Sequence, residues 1–195
     1  MKRVAITGGI GCGKTTFTQV FQSLGVPCFV ADQVASAYYS DPQFLAEIRA
    51  LFGSQVFLPD GTVDKRRIAS IVFNDKAMLE QLNQLVHPRV MADFDRWASQ
   101  QNAPYVLQES AILYEYGLDK HFDAVVCVYL DKEERLRRLE LRDHASRQAL
   151  EDRMRNQLSA EEKMMRADYV VLNYEGNPRR RQVEYINNLL ISKSI

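Results

Sequence analysis

The feature that most constrains this 195-residue chain is a glycine-rich segment close to its start. Residues 8–15 read Gly-Gly-Ile-Gly-Cys-Gly-Lys-Thr, which fits the pattern G-x-x-x-x-G-K-[ST]. With average residue frequencies, a chain of this length matches that pattern by chance about once in a hundred. The segment directly follows the apolar run Val4–Thr7 and opens a helical pattern, which is the context that the motif requires. The sequence therefore predicts a glycine-rich loop between a buried strand and a helix.

The residue types in this loop suit the binding of phosphate. Glycines let successive backbone N–H groups surround phosphate oxygens, because no Cβ is in the way. The helix N-terminus adds partial positive charge, Lys14 reaches the β- and γ-phosphates, and the Thr15 hydroxyl ligates Mg²⁺. A turn that merely starts a helix would explain neither side chain, so we predict a site for ATP with Mg²⁺. The loop residues expected to contact the nucleotide are Gly9, Gly11, Cys12, Gly13, Lys14, Thr15 and Thr16.

Five short apolar runs, rich in β-branched or aromatic residues, predict buried parallel strands. They are Val4–Thr7, Cys28–Ala31, Tyr105–Leu107, Ala124–Leu130 and Tyr169–Leu172. Because helical patterns separate them, we expect a three-layer α/β fold with a five-stranded parallel sheet and right-handed crossovers. Roughly seventy residues separate the second and third runs, whereas a crossover needs only about 10–12. We expect the extra helices to lie over the carboxyl ends of the strands, where such sheets bind ligands.

Capping patterns mark several helix starts. They are Asp41 before Pro42, Asp131 with Glu134, Ser159 with Glu162, and Asn177 before Pro178. Pro88 lies inside a long helical pattern from Asp75 to Gln101, so we expect a break or kink just before it.

Charge and cysteine content exclude several other classes of protein. The 25 basic residues equal the 25 acidic ones, which argues against wholesale binding to nucleic acid or to a membrane surface. The longest apolar run, Ala124–Leu130, is far below the ~20 residues that span a bilayer, and we expect no signal peptide. Cys12, Cys28 and Cys127 show no metal-ligand spacing. Reduced thiols are typical of the cytoplasm, where we expect the protein to be located.

Two carboxylates follow predicted strands. Asp32 comes after the second strand, where it could accept a hydrogen bond from an acceptor hydroxyl. It could also cap a helix beginning near Gln33; the two roles can coexist, and the functional role is preferred. Glu109 follows the third strand and is a candidate for Mg²⁺ or its waters, although a solvated charge at a strand end is an equally good interpretation.

Basic residues are concentrated between positions 132 and 155. A solvated helix face with i,i+4 pairs accounts for many of them. Arg142 and Arg147, however, flank a short Asp-His-Ala-Ser segment that is typical of a turn between helices. Two guanidiniums on such a turn suit a lid that closes over transferring phosphate. His87 precedes Pro88, and a lone histidine is more often structural than catalytic.

A set of short motifs is distributed along the whole chain. They are Thr7 to Thr15, Ala31-Asp32, Leu85-Val86-His87-Pro88, Arg142-Asp143, Ser146-Arg147, Asn156-Gln157 and Ala167-Asp168 leading to Asn173. With these residues the sequence resembles the dephospho-coenzyme A kinase family over essentially its whole length. Glu115 matches a glutamate that follows the third strand in the family, although a Pro-Leu-Leu segment before it is replaced here.

This resemblance implies transfer of the ATP γ-phosphate to the ribose 3′-hydroxyl of dephospho-coenzyme A, the last step of coenzyme A synthesis. It implies a kinase core at 1–32, 101–132 and 166–195, an acceptor-binding helical insertion at 33–100 and a lid at 133–165. Lys14, Asp32 and Arg142 would be catalytic, with Arg147 and Asn173 at the nucleotide. Asp32, His87 and Glu115 would contact the acceptor, and Thr15 and Glu109 the metal.

Two other functions fit parts of this pattern. A nucleoside or nucleotide kinase would share the phosphate loop and lid, and only its acceptor would differ. A nucleotide-sensing regulator of the GTPase type would require Asn-Lys-x-Asp and Asp-x-x-Gly motifs, and neither string occurs in the chain. The kinase interpretation is therefore preferred.

Overall fold

Five parallel strands form the centre of the protein, in a computed structural model that describes residues 1–192. Within that range the strands are β1 (Lys2–Thr7), β2 (Cys28–Val30), β3 (Tyr105–Glu109), β4 (Ala124–Tyr129) and β5 (Tyr169–Leu172). They form one sheet in the order β2-β3-β1-β4-β5. The predicted α/β class and the five-stranded parallel sheet are confirmed, with each strand end within two residues of its expected position. The last three residues of the predicted core segment 166–195 lie outside the described range.

The helices are α1 (Lys14–Ser23), α2 (Ala31–Ala37), α3 (Pro42–Phe52), α4 (Lys65–Asn74), α5 (Lys76–Ser99), α6 (Lys132–Asp143), α7 (Arg147–Arg155), α8 (Ala160–Arg166) and α9 (Arg179–Ser192). Short 3-10 turns occur at Tyr38–Ser40, Ser54–Val56 and Leu118–His121. No helix within residues 1–192 has the length and apolar content that a membrane crossing demands.

Helices cover both faces of the sheet, which gives the three layers expected. On one face, Phe17 and Phe21 of α1 and Ile186 of α9 pack against Val4 and Ile6 of β1. On the other face, Ala5 and Val125 pack with Leu113 and Tyr114, which follow β3. The alternation along β1 thus assigns each side chain to one of two separate hydrophobic layers.

The chain divides into two compact units. The first contains Met1–Val30 and the described residues from Gln101 onward, and so holds the whole sheet. The second is Ala31–Gln100, with helices α2 to α5 around a core of Phe44, Ile48, Phe52, Val56 and Ile68. Its predicted role as the acceptor-binding part stays a prediction.

The capping patterns are largely confirmed by the helix starts. Asp41 accepts hydrogen bonds from the backbone N–H groups of Gln43 and Phe44, and Ser159 forms a complete capping box with Glu162. The box expected at Asp131 is only half formed. Its carboxylate caps α6, but Glu134 pairs with Arg137 and Arg138 instead of bonding back.

The break expected before Pro88 is absent. Helix α5 runs without interruption from Lys76 to Ser99, with the proline inside it. The missing N–H of a proline leaves one backbone carbonyl without its helical partner. A side chain adds a hydrogen bond across one helical turn in this region: the Arg89 guanidinium donates to the Leu85 carbonyl at 2.7 Å. Arg89 also forms an ion pair with Glu47 of α3, so tertiary contacts hold the segment as helix.

We expect the Asp41 cap to contribute measurably to the stability of the second unit. Asp41→Ala removes the acceptor for two N–H groups of α3 and should lower the free energy of unfolding by ~1 kcal/mol. Asp41→Asn keeps an acceptor and should stay within a few tenths of a kcal/mol of wild type. Urea unfolding followed by circular dichroism measures both, and equal losses in the two variants would contradict the capping role.

Candidate functional site

The glycine-rich loop leaves the end of β1 and turns directly into α1. Gly8, Gly11 and Gly13 have φ values of 148°, 81° and 88°, in the region that glycine adopts without strain. Gly13 is the N-cap of α1, and no side chain accepts a hydrogen bond from the first turn of that helix. The Thr16 N–H donates to the Gly13 carbonyl, whereas those of Lys14 and Thr15 have no partner among the described residues. These two N–H groups are available to an anionic ligand, and the helix dipole favours negative charge there.

The loop lies so close to its neighbours that side chains are excluded from it. A Cβ on Gly13 would overlap the amide nitrogen of Asn173, and one on Gly9 would overlap the Arg135 guanidinium. A Cβ on Gly11 would come within 2.8 Å of the Leu139 side chain. The glycines are thus required by close packing against α6 and Asn173 as well as by backbone conformation.

Lys14 folds back over this loop. Its ammonium donates to the Gly8 carbonyl at 2.9 Å and lies 3.5 Å from the Gly9 carbonyl. Backbone carbonyls are neutral acceptors, so phosphate oxygens can replace them with a gain in charge-assisted hydrogen bonding.

Thr15 and Glu109 meet where β1 and β3 end side by side. The Thr15 hydroxyl donates to Oε1 of Glu109 at 2.8 Å, and Ile6 of β1 pairs in register with Glu109. The Glu109 residue is only 5% exposed, and its Oε2 atom is buried with no hydrogen-bond partner. The carboxylate is therefore not a solvated charge at a strand end, and one of its oxygens lacks a hydrogen-bond partner among the described residues.

Asn173 ties the loop to the strand on the far side of β4. Its Nδ2 donates to the Cys12 carbonyl at 2.7 Å, and its Oδ1 accepts from Nε of Arg179 at 2.7 Å. Its own carbonyl accepts from Arg138 at 2.9 Å. Both ends of the amide are committed to the protein, and the predicted place of Asn173 near the nucleotide stays a prediction.

The cysteines contribute packing to this region. The Cys12 side chain is fully buried in the core beneath the loop, so only its backbone can contact a nucleotide. All three cysteines are free of disulfides. Burial raises the pKa of the Cys28 and Cys127 thiols to about 12, so both stay protonated near neutral pH.

The two arginines expected in a lid flank a turn as predicted. Helix α6 ends at Asp143, His144 has a left-handed φ of 49°, and α7 begins at Arg147. The Arg142 guanidinium pairs with Asp143 at 2.6 Å, and that of Arg147 pairs with Glu133 at 2.6 Å. Neither donates to the glycine-rich loop in this structure, and their function on closure stays a prediction.

Glu115, expected to contact the acceptor, holds a buried cation. Its carboxylate lies 2.6 Å from the ammonium of Lys163, which is fully buried in α8, and also accepts from the Leu158 N–H. Lys163 donates in addition to the Ala111 carbonyl at 2.6 Å. Burial lowers the pKa of Lys163, while the contact with Glu115 opposes that shift. Glu115 thus joins the segment after β3 to α8, and a role with the acceptor stays a prediction.

Asp32 and His87 belong to the second unit. Asp32 lies in the first turn of α2, which begins at Ala31, so the expectation that it caps a helix starting near Gln33 is wrong. Helix α2 follows β2 without a connecting residue, which places Asp32 inside the helix. His87 lies within α5, and burial lowers the pKa of its imidazole.

Sequence reasoning assigned no role to two residues that contact the loop. The Ile10 N–H donates to Oε1 of Gln157 at 3.1 Å, and Nη1 of Arg135 lies 3.5 Å from the Ile10 carbonyl. Arg135, Arg138 and Arg142 are spaced by three and four residues, which places them along one helix face. This spacing in the sequence could have identified Arg135 as lying on the same helix face as Arg142.

Comparison with known proteins places this geometry in a family. A family profile described as dephospho-CoA kinase matches residues 2–178. The chain belongs to this family. The dephospho-CoA kinase of Bacteroides fragilis is 34% identical over 183 residues, covering 93% of this chain and 89% of the relative. That of Leptospira interrogans is 34% identical over 196 residues, covering 98% and 94%.

Solved structures show the same fold. A crystal structure of a Thermus thermophilus protein aligns with a TM-score of 0.87 at 30% identity, over 96% of both chains. Dephospho-CoA kinase from Campylobacter jejuni aligns at 0.67 and 24% identity, over 99% of this chain and 98% of its own. Shikimate kinase from Acinetobacter baumannii, at 0.53 and 17% identity, shares the fold. The solved structures thus confirm the P-loop kinase fold, and the family profile and the relatives confirm the family recognised in the sequence and an ATP-dependent phosphotransferase of coenzyme A biosynthesis.

The close packing of the loop predicts a sharp difference between two glycines. Gly13→Ala should lower ATP affinity by about tenfold or more, because the new methyl group displaces the Asn173 amide and disturbs the N–H groups of the loop. Gly25→Ala is the matched control, since Gly25 has a similar φ of 83° but open space around its Cα. We expect Gly25→Ala to lose ~1 kcal/mol of stability in an unfolding experiment. Titration calorimetry should show that its ATP affinity is the same as that of wild type.

Proposed function

We propose that this protein transfers the γ-phosphate of ATP to the ribose 3′-hydroxyl of dephospho-coenzyme A, giving coenzyme A and ADP. The observation that carries the proposal is the loop with uncapped N–H groups, Lys14 above it and the Thr15–Glu109 contact beside it. Those are the parts that phosphoryl transfer requires, because its loose transition state needs positioning and charge neutralisation more than covalent chemistry.

In this proposal Lys14 exchanges the carbonyls of Gly8 and Gly9 for β- and γ-phosphate oxygens. Its ammonium then stabilises the charge that develops on the transferring group. The loop residues Gly9, Gly11, Cys12, Gly13, Lys14, Thr15 and Thr16 are proposed to surround the remaining phosphate oxygens. The backbone N–H groups of Lys14 and Thr15, which have no partner among the described residues, would donate to them.

Thr15 and Glu109 are the residues that fit a magnesium ion. Hydroxyl and carboxylate oxygens suit Mg²⁺, and the unpartnered Oε2 of Glu109 is available to the ion or to one of its waters. Within residues 1–192 no group of three His, Cys, Asp or Glu side chains is placed to hold a metal. That fits an ion whose other ligands are phosphate oxygens and water. When bound, Mg²⁺ neutralises phosphate charge and orients the γ-phosphate.

Asp32 is proposed to accept the proton of the attacking hydroxyl. It follows the last residue of β2 by two positions, so its backbone is attached to the carboxyl end of that strand. A carboxylate in this role orients the hydroxyl and removes its proton as the new P–O bond forms. His87 and Glu115 are proposed to help bind the acceptor.

The remaining assignments follow the same proposal. Residues 33–100 would bind the acceptor, and residues 133–165, which contain α6 to α8, would act as the lid. On closure Arg142 would leave Asp143 and Arg147 would leave Glu133 to contact phosphates, since ion pairs this exposed are weak and easily exchanged. A small-molecule kinase of this kind, with free thiols and balanced charge, would act in the cytoplasm without nucleic acid or membrane partners.

The test is an ATP-dependent phosphorylation assay with dephospho-coenzyme A, AMP, adenosine and shikimate as parallel acceptors. We expect turnover with dephospho-coenzyme A far above the others, and loss of that turnover in Lys14→Ala with the fold retained. Preference for a nucleoside monophosphate would replace the proposal with a nucleotide kinase.

Asp32→Asn separates a catalytic carboxylate from a structural one. The amide keeps the size and one acceptor oxygen but cannot take a proton. We expect kcat to fall ~10²–10⁴-fold, the usual contribution of a general base, with Tm unchanged. Steady-state kinetics and a thermal melt measure the two quantities. Near-normal kcat would remove Asp32 from the reaction and make Glu109 the next carboxylate to test.

Glu109→Gln should raise the Mg²⁺ concentration needed for half-maximal rate by about 10–100-fold. The amide oxygen still accepts from the Thr15 hydroxyl, while the negative charge toward the ion is lost. Glu184→Gln removes the same charge from an exposed position on α9 and should leave the Mg²⁺ dependence unchanged. A Mg²⁺ titration of the rate at fixed ATP makes the comparison, and identical curves for wild type and Glu109→Gln would refute the assignment.

A further inference from the structure

Arg135 is a buried cation for which the described protein supplies no anion. The residue is 6% exposed, although its side chain carries a permanent charge. Its Nε atom is buried without a hydrogen-bond partner. The one hydrogen bond that its side chain makes with the described residues, from Nη1 to the Ile10 carbonyl, is 3.5 Å long, at the limit for such a bond. Across residues 1–192, no carboxylate lies within 4.0 Å of this guanidinium.

Other cations in the same region have carboxylate partners. Lys163 is fully buried but lies 2.6 Å from the Glu115 carboxylate. Arg138, one helical turn from Arg135, pairs with Glu134 at 2.8 Å. The neighbouring Arg137 is exposed and pairs with the same carboxylate. The fold therefore provides counter-charges nearby while leaving Arg135 without one.

An uncompensated buried charge is strongly unfavourable, and buried charges in proteins are normally paired. A site that retains one has an attractive potential for an anion from solution. The guanidinium also offers donors in a planar fork, which matches the geometry of phosphate oxygens. A phosphorylated ligand would therefore supply the negative charge that the Arg135 guanidinium lacks.

The position of Arg135 in the fold indicates which anion would pair with its guanidinium. A Cβ on Gly9 would overlap its Nη1 atom, so the guanidinium lies directly against the glycine-rich loop. It also borders a cavity of about 240 Å³ between α6, α7 and α8. That cavity is lined by Lys132, Arg155 and Gln157 and by two carboxylates, of which Glu151 pairs with Lys132 and Glu161 accepts from the Tyr129 hydroxyl. Gln157 accepts from the Ile10 N–H of the same loop. Since neither carboxylate pairs with Arg135, phosphates bound at the loop could supply the anion that this cation lacks.

We propose that Arg135 is a nucleotide-binding residue, whose guanidinium binds the polyphosphate chain of ATP together with Lys14. The proposal rests on the function given above only in taking the glycine-rich loop as the ATP site. On binding, the weak contact with Ile10 is exchanged for charge-assisted hydrogen bonds to phosphate oxygens. Arg135 then completes its own charge balance only in the nucleotide complex.

The experiment compares Arg135→Gln and Arg135→Lys with Arg137→Gln, which removes one charge from the exposed face of the same helix. Calorimetry measures the affinities for ATP, ADP and adenosine, and a thermal melt measures apo stability. We expect Arg135→Gln to lose about tenfold or more in ATP affinity, less for ADP and nothing for adenosine. Its apo Tm should equal or exceed that of wild type, because a buried unpaired charge has been removed. Arg135→Lys should recover part of the ATP affinity, and Arg137→Gln should bind all three ligands as wild type does.

Several results would overturn the proposal. One is an Arg135→Gln protein that binds ATP like wild type. Another is a variant that fails to fold, or loses Tm and adenosine affinity together, since either shows that Arg135 has a structural role. These measurements need no acceptor. If wild type fails to phosphorylate dephospho-coenzyme A while Arg135→Gln shows the expected pattern, the acceptor assignment fails and the inference about Arg135 stands.

Discussion

The structure depends on how tightly the backbone of the glycine-rich loop is enclosed. Helix α6 approaches it from one side through Arg135 and Leu139, and the Asn173 amide holds the Cys12 carbonyl from the other. This close approach sets the direction of the loop N–H groups before any ligand arrives. Because the glycines are needed for the contact itself, the pattern read in the sequence is a packing requirement as well as a conformational one.

Electrostatic balance distinguishes two kinds of charged group around this loop. Lys163 and Arg138 have carboxylate partners and so are neutralised within the protein. Lys14 and Arg135 have only backbone carbonyls, which leaves positive potential where phosphate would lie. Glu109 has the complementary property, with one carboxylate oxygen partnered and the other open. The charges of these three residues would thus be neutralised only when ATP and a metal ion are bound.

Much of this could be predicted from the sequence, for identifiable physical reasons. The strands were recognisable because a parallel sheet buried on both faces requires continuous apolar runs. The loop was recognisable because few residue types tolerate its geometry. The predictions failed where tertiary contacts override local rules: helix α5 continues through Pro88, and Glu134 pairs with arginines instead of completing a capping box. Arg135 received no role because burial, which makes its charge significant, is a property of the fold.

The pair formed by Glu115 and Lys163 has an implication for how this protein can change. Losing either partner leaves an isolated buried charge, which is strongly destabilising, whereas replacing both by apolar groups is often tolerated. A single substitution that removes either charge is therefore expected to destabilise the protein, and the two positions are expected to change together. Among related chains, positions 115 and 163 should accordingly vary together, so that a chain with one charge retains the other.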